Sequence, residues 1–254
     1  MSPAGLPVIA VSRRMPTAVG EGVTWLQHDL ERGPAAATTR LLASAGPLRL
    51  ARKQAEALPG LERMVALSSA SLRFKTHSPD AAERALIQSL AEEEQALGQL
   101  AVERGFQLSL LRPTLIYGGP GPDALDAIRN WLHTRNWLPV AGNGLRQPVH
   151  ADDLAEFMLH CLAHPPGPAT TLELGGGETL GYRDFLRRIA ASEGRDPRLI
   201  HIPAGLIGIG LRAAHALGRL KALQPAMVAR QRMDLVVDDR AARALGWNPG
   251  AFRP

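Results

Sequence analysis

Short apolar runs, each closed by polar or turn residues, recur along the first half of the chain. They are PVIAVS (7–12), VTWLQ (23–27), TRLLAS (39–44), RMVALSS (63–69) and QLSLLRP (107–113). Their length and their β-branched and leucine-rich composition predict strands. Between the last two, Leu86, Leu90, Leu97 and Leu100 recur at helical spacing over 79–103, with Ser78-Pro79-Asp80 as a start signal. A second helix is predicted over 48–58. Strands alternating with helices point to an α/β protein with a parallel, doubly wound sheet.

The second half is less regular. A helix is expected near 123–137, ahead of the turn-rich VAGNGLRQPVH. Asp152 and Asp153 are placed to cap a helix over 154–163. The strand TLELGG follows Pro165-Pro166-Gly167-Pro168 and leads to a helix over 182–192. LIHIP reads as a short strand, the region 204–222 as helical, and the tail as turns. The division predicted is a nucleotide-binding part, mainly 1–165, and a substrate-binding part, mainly 166–254, which interleave.

Composition narrows the class. With 254 residues and 45% hydrophobic content the chain can bury a full core. No apolar stretch approaches the roughly 18 residues needed to span a bilayer. The N-terminal apolar run precedes its arginines, the reverse of a signal peptide. The only cysteine, Cys161, cannot form an internal disulfide and reads as a small apolar helix residue. A reducing, cytoplasmic setting follows. The net charge of +5 comes from arginines scattered singly or in pairs, and only five Phe, four Trp and two Tyr could stack on bases. That argues for a solvated basic surface and against a nucleic-acid groove. No metal is expected: His160 and His164 stand at i and i+4 without a third ligand.

A dinucleotide needs backbone amides and a helix N-terminus facing its pyrophosphate, with glycines allowing close approach. The nearest pattern, Gly208-Ile-Gly210-Leu-Arg-Ala213, lies late and is not set in a clear βαβ unit, so helix packing is the better use of its glycines. Gly175-Gly176-Gly177 reads as a turn. VIAVS ends in Arg13-Arg14, where an arginine would suit the extra phosphate of NADP; a solvated pair is the equal alternative.

Taken in order, these segments resemble the extended short-chain dehydrogenase/reductase superfamily, in its NAD-dependent epimerase/dehydratase branch. LQHDL (26–30) is similar to the third-strand segment near the adenine, and LLASAG (41–46) to the segment beside the ribose and pyrophosphate. VALSSAS (65–71) resembles the fifth strand with its serine cluster, and LLRPTLIYGG (110–119) the RP-x-x-x-YG signature near the nicotinamide. QPVHADDLAEFM, LELGGGETLGYRDFLRRIA and ALGWNPGAF resemble the family's later motifs. The resemblance implies a Rossmann-like sheet with a small C-terminal substrate-domain portion. It places the cofactor against Ser12, Arg13, Arg14, Asp29, Leu30, Ala43, Ser44, Ala45, Ser68, Pro113, Thr114 and Leu115. The implied cofactor is NADP or NAD, the implied substrate a nucleotide sugar or other small polar molecule, and a homodimer is allowed.

Two departures qualify it. The resemblance starts at the family's second strand, without the first βα unit and its glycine loop, about 25 residues of a βαβ unit. The expectation is a late start or truncated gene, with dinucleotide binding impaired. The family's acid/base is a tyrosine with a lysine four residues on. Here the tyrosines are Tyr117 and Tyr182, the lysines Lys53, Lys75 and Lys221, and no such pair exists. Leu86 and Leu90 fall at the dyad positions, and Ala70 replaces the polar third member of the serine cluster. Ser69 and Ser71 remain candidate donors, while Lys75, His77, Asp80 and Glu83 read as solvated residues of a loop and helix start. His150 before Asp152-Asp153 has the look of an acid/base arrangement, the capping role being preferred. Two readings stay open: an atypical NADP-preferring oxidoreductase or epimerase, and a non-catalytic dinucleotide-binding sensor, assembly factor or scaffold.

Overall fold

The computed structural model describes residues 8–15, 22–119, 121, 123–203 and 230–254. The predicted helical region 204–222 and the Gly208–Ala213 pattern therefore lie outside the described residues. The chain divides into two compact units. The first is built from Met1–Ser68, Ser89–Leu111 and Phe157–Leu172, the second from Ser69–Gln88, Arg112–Glu156 and Glu173–Pro254.

In the first unit, β1 (Val8–Ser12) and β2 (Val23–Gln27) form a parallel pair. A four-stranded sheet runs in the order β10 (Ala169–Leu174), β5 (Gln107–Pro113), β4 (Arg63–Leu67), β3 (Leu41–Ser44). β3, β4 and β5 are mutually parallel. Consecutive apolar residues in β4 and β5 are buried, as expected of strands covered on both faces. α1 (Leu48–Glu56) lays Leu48, Ala51 and Ala55 into the core with Met64, Ala66, Leu97, Ala101 and Leu108. The buried Gln54 amide exchanges two hydrogen bonds with the Ala35 backbone, satisfying a loop that no strand pairs.

α3 (Ala81–Arg104) is the long predicted helix, but its phase differs. Ile87, Leu97 and Ala101 are buried, whereas Leu86 is 67% exposed. Leu90, Leu97 and Leu100 keep to the packed side. Residues 87, 90, 94, 97 and 101 recur at alternating spacings of three and four, and Leu86 falls one position off that stripe.

The second unit has a core of Tyr117, Leu125, Leu132, Leu138, Val140, Phe185, Leu186, Ile189 and Phe252. α4 (Asp126–Thr134) packs on α6 (Tyr182–Ser192). Short strand pairs frame them: β6 (Ile116–Tyr117) with β9 (Val149–His150), β7 (Trp137–Val140) with β12 (Arg198–His201), and β8 (Leu145–Arg146) with β11 (Leu180–Gly181). α5 (Ala151–Ala163) begins at Ala151, three residues before the predicted start. α2 (Ser71–Phe74) and α7 (Arg240–Ala244) had no signal in the pattern, being a single turn and little more.

Candidate functional site

The strand ends of the first unit carry serines. Ser12 closes β1, and its hydroxyl accepts the Arg14 amide at 3.3 Å. The Gln27 side chain donates to the Arg13 carbonyl at 3.2 Å. The turn is thus tied down while both guanidinium groups face solvent. Asp29 caps the short 3-10 turn Leu30–Arg32 by accepting the Glu31 amide at 3.1 Å. Ser44 closes β3, and Ala43 and Ala45 beside it are exposed. Ala45-Gly46-Pro47 then leads straight into α1, whose N-terminus has no side-chain cap. Ser68 follows β4. Its amide donates to Leu111 at 2.8 Å, yet its hydroxyl is buried with no hydrogen-bond partner among the described residues. Such a group costs about 1–3 kcal/mol unless a ligand or water completes it.

The remaining predicted residues lie in the second unit, in structural roles. Ser69 Oγ accepts the Ser71 amide at 3.1 Å, opening α2. The Pro113 carbonyl accepts the Ala70 amide at 3.0 Å. Thr114 donates its amide to Leu174 and its hydroxyl to Gln147 O. The Leu115 carbonyl accepts from Val149 at 2.8 Å, and its side chain packs against the core.

Tyr117 lies in the core of the second unit, and Tyr182 packs against it. Tyr117 is 2% exposed and its oxygen accepts the Arg253 amide at 3.0 Å. Burial raises its pKa, partly countered by that bond and the Arg253 charge. Burial likewise raises Tyr182, whose ring lies 4.8 Å beneath the Arg146 guanidinium.

Residues 75–80 form the expected loop, with His77 exposed, but Glu83 at the start of α3 is not freely solvated. Asp80 Oδ1 accepts the amides of Ala82 and Glu83 at the start of α3. Glu83 is partly buried and bonded by Ser78 and Arg230, with Lys75 close by. Burial alone would raise its pKa; Ser78, Arg230 and Lys75 outweigh it and hold the carboxyl below its ordinary value. The aspartate cap on α5 is also corrected. His150 Nδ1 accepts the Asp152 amide at 3.2 Å, so the imidazole itself caps the helix. Asp153 turns instead to the C-terminal tail, accepting from Gly250 N at 3.0 Å and from Arg253 at 3.2 Å. The Asp152 carboxylate lies 3.6 Å from the same nitrogen.

Gly175-Gly176-Gly177 is a close-packing run: a methyl at Gly176 would overlap Pro148 O, and one at Gly177 the carbonyls of Pro249 and Gly250. Cys161 is buried, and desolvation pushes its thiol up to about 11. Sequence reasoning missed Arg146 altogether. It is 5% exposed and donates to the carbonyls of Leu145, Met233 and Arg230 at 2.7–2.9 Å. Only the rarity of arginines in cores could have marked it, and solvated arginines look the same in sequence.

These features define an α/β protein of the Rossmann type with a parallel sheet. No family model matches the chain. It is similar to a UDP-glucose 4-epimerase of Vibrio cholerae, 24% identical over 160 residues, which is 58% of this chain and 48% of that protein. The chain thus matches about half the length of that curated relative. Among solved structures it is similar to a UDP-galactose 4-epimerase, with a TM-score of 0.66 and 14% identity over 98% of this chain and 86% of the other. MoeE5 in complex with UDP-glucuronic acid and NAD gives a TM-score of 0.57 and 19% identity over 79% and 78%. The dTDP-4-dehydrorhamnose reductase of Bacillus anthracis str. Ames in complex with NADP gives 0.53 and 14% over 80% and 66%. The fold is that of the nucleotide-sugar epimerases and reductases, as the ordered motifs implied. Among the described residues no helix is long and apolar enough to cross a membrane.

Proposed function

We propose that the chain binds a nicotinamide dinucleotide, NADP in preference to NAD, together with a nucleotide-sugar-like ligand. The observation that carries the reading is the buried, unpartnered Ser68 hydroxyl at the end of β4. In open parallel α/β sheets, ligands bind outside the carboxyl ends of the strands. Ser12, Ser44 and Ser68 mark those ends, and the uncapped start of α1 supplies amides suited to an anion. Arg13 and Arg14, exposed on a tied turn, suit a ribose phosphate, and Asp29 and Leu30 would lie at the adenosine side. The residues present fit a dinucleotide; when bound, it would supply hydride transfer at its nicotinamide.

The chain's own proton transfer is the weak point. Leu86 and Leu90 stand at the dyad positions, and Ser69 is engaged in opening α2. Ser71 is the remaining candidate donor. That observation favours the second reading, a non-catalytic dinucleotide-binding protein serving as sensor, assembly factor or scaffold.

Ser68→Ala tests the first claim. Removing an unpartnered buried hydroxyl should leave stability unchanged or raised, while NADPH affinity measured by calorimetry falls. Unchanged affinity would refute the assignment. Arg13→Glu should weaken NADPH by about tenfold and NADH little, as loss of one charge-assisted phosphate contact implies; an equal effect on both would make Arg13 a solvated residue. Turnover of a panel of nucleotide sugars with NADP(H) separates the enzyme from the binding protein.

A further inference from the structure

The connection that leaves β4 holds a charge imbalance that the dinucleotide does not use. Lys75 ends α2, its backbone amide fixed to the Ser71 carbonyl at 2.9 Å. Its side chain is 28% exposed and that of Glu83 17%, while the Arg230 side chain is 14% exposed. Glu83 Oε2 is occupied, accepting from Ser78 Oγ at 2.7 Å and from the Arg230 guanidinium at 2.7 Å. Lys75 Nζ forms a long ion pair with Glu83 Oε1, at 3.5 Å. Arg84 adds a third cation, its guanidinium spent on the Ser78 carbonyl at 2.7 Å. Asp80, the other carboxylate of the segment, is turned to the amides of α3. Among the described residues, one shared carboxylate therefore serves Lys75 and Arg230. An ammonium group carries three donors, and among the described residues its one carboxylate partner is Glu83, at 3.5 Å. A surplus positive charge half withdrawn from solvent is costly unless an anion completes it.

We infer that Lys75 and Arg230 form a receptor for an oxyanion, phosphate or carboxylate, carried by the small ligand. Arg230 is held to its carboxylate while Lys75 swings its free donors toward the anion. Glu83 fixes the two cations and, as a like charge, limits how tightly the anion is held. That the ligand is a nucleotide sugar rests on the proposed function; that the site takes an oxyanion does not.

The test is calorimetric titration of the full chain with inorganic phosphate, at ionic strength held constant with chloride. Lys75→Gln should weaken phosphate binding by at least about fivefold, the effect of one unit charge a few ångströms away at intermediate dielectric. Glu83→Gln should tighten it by a similar factor, because the repelling carboxylate is gone. Absence of phosphate binding, or affinity unmoved by Lys75→Gln, overturns the receptor. Should Glu83→Gln fail to fold, Lys75→Gln decides alone. UDP-glucuronate and UDP-glucose then identify the source of the anion: a Lys75→Gln loss confined to the former assigns the sugar carboxylate, and equal losses assign the diphosphate. If phosphate binds and responds but neither nucleotide sugar does, the receptor stands and the nucleotide-sugar reading falls. If both nucleotide sugars bind and neither responds, the receptor falls and that reading stands.

Discussion

Replacing Arg146 by methionine should destabilise the second unit by about 3 kcal/mol, a figure that follows from its bonds. The guanidinium makes two long-range charge-assisted bonds, to Met233 O at 2.9 Å and Arg230 O at 2.8 Å. Each is worth about 1.5–3 kcal/mol, and its loss leaves a carbonyl without its donor. The offset is the cost of burying a cation, visible in the lowering of the Arg146 pKa by desolvation. Methionine fills similar volume, so little is added for a cavity. The segment after Arg230 should loosen first, since Leu235 N to Leu145 O at 2.9 Å and Gly144 N to Gln231 O at 2.8 Å are the bonds Arg146 braces. Urea unfolding gives the free energy, and hydrogen exchange at Leu235 and Gly144 gives the location. Arg146→Lys, with its charge kept but its fork lost, should recover less than half. A loss under about 0.5 kcal/mol in Arg146→Met, with exchange unchanged at both amides, would show that the buried cation merely offsets its own desolvation.

Other consequences are equally direct. Gly176→Ala should cost more than about 3 kcal/mol or prevent folding, because the new methyl meets the Pro148 carbonyl, which is backbone and cannot yield; a normal thermal midpoint would contradict the close approach. Glu83 has a folded pKa below its ordinary 4.5. Its stabilisation is therefore full above that value and lost as pH falls through the folded one. Glu83→Gln should accordingly lose less stability on acidification from about pH 5 to pH 3 than the parent, and parallel acid limbs would refute the pairing. Cys161, its thiol raised from 9.0 to about 11 by burial, should resist alkylation at about pH 8 until the chain unfolds. Prompt labelling of the native protein would mean that the thiol is open to solvent.

The strands of the first unit were legible because each is written as a short apolar run, and β1, β2 and β5 fall within or on their predicted bounds, although β1 and β2 are only partly covered. The long helix was legible in type but not in phase. Leucines at 86, 90, 97 and 100 suggested one stripe, while burial follows 87, 97 and 101, with the polar Glu94 also buried. Glu94 on the buried side hid the true period from a hydrophobic count. In the second unit, two-residue strands such as Ile116–Tyr117 and Leu180–Gly181 are too short for any periodicity. Candidate residues at strand ends could be placed from ordered motifs. What each side chain bonds to could not: the Glu83–Arg230 pair joins residues 147 positions apart, and the Asp153–Arg253 pair 100. His150 as a helix cap had no signal either, since serine, threonine, asparagine and aspartate are the usual caps and two aspartates stood next to it.

The central claim is that a dinucleotide meets the carboxyl ends of the strands in the first unit. Backbone amide shifts recorded on addition of NADPH test it most directly. The account predicts perturbations concentrated at Ser12–Arg14, Asp29–Leu30, Ser44–Gly46 and Ser68. Saturating NADPH that leaves those amides unmoved, while shifting others, would contradict it.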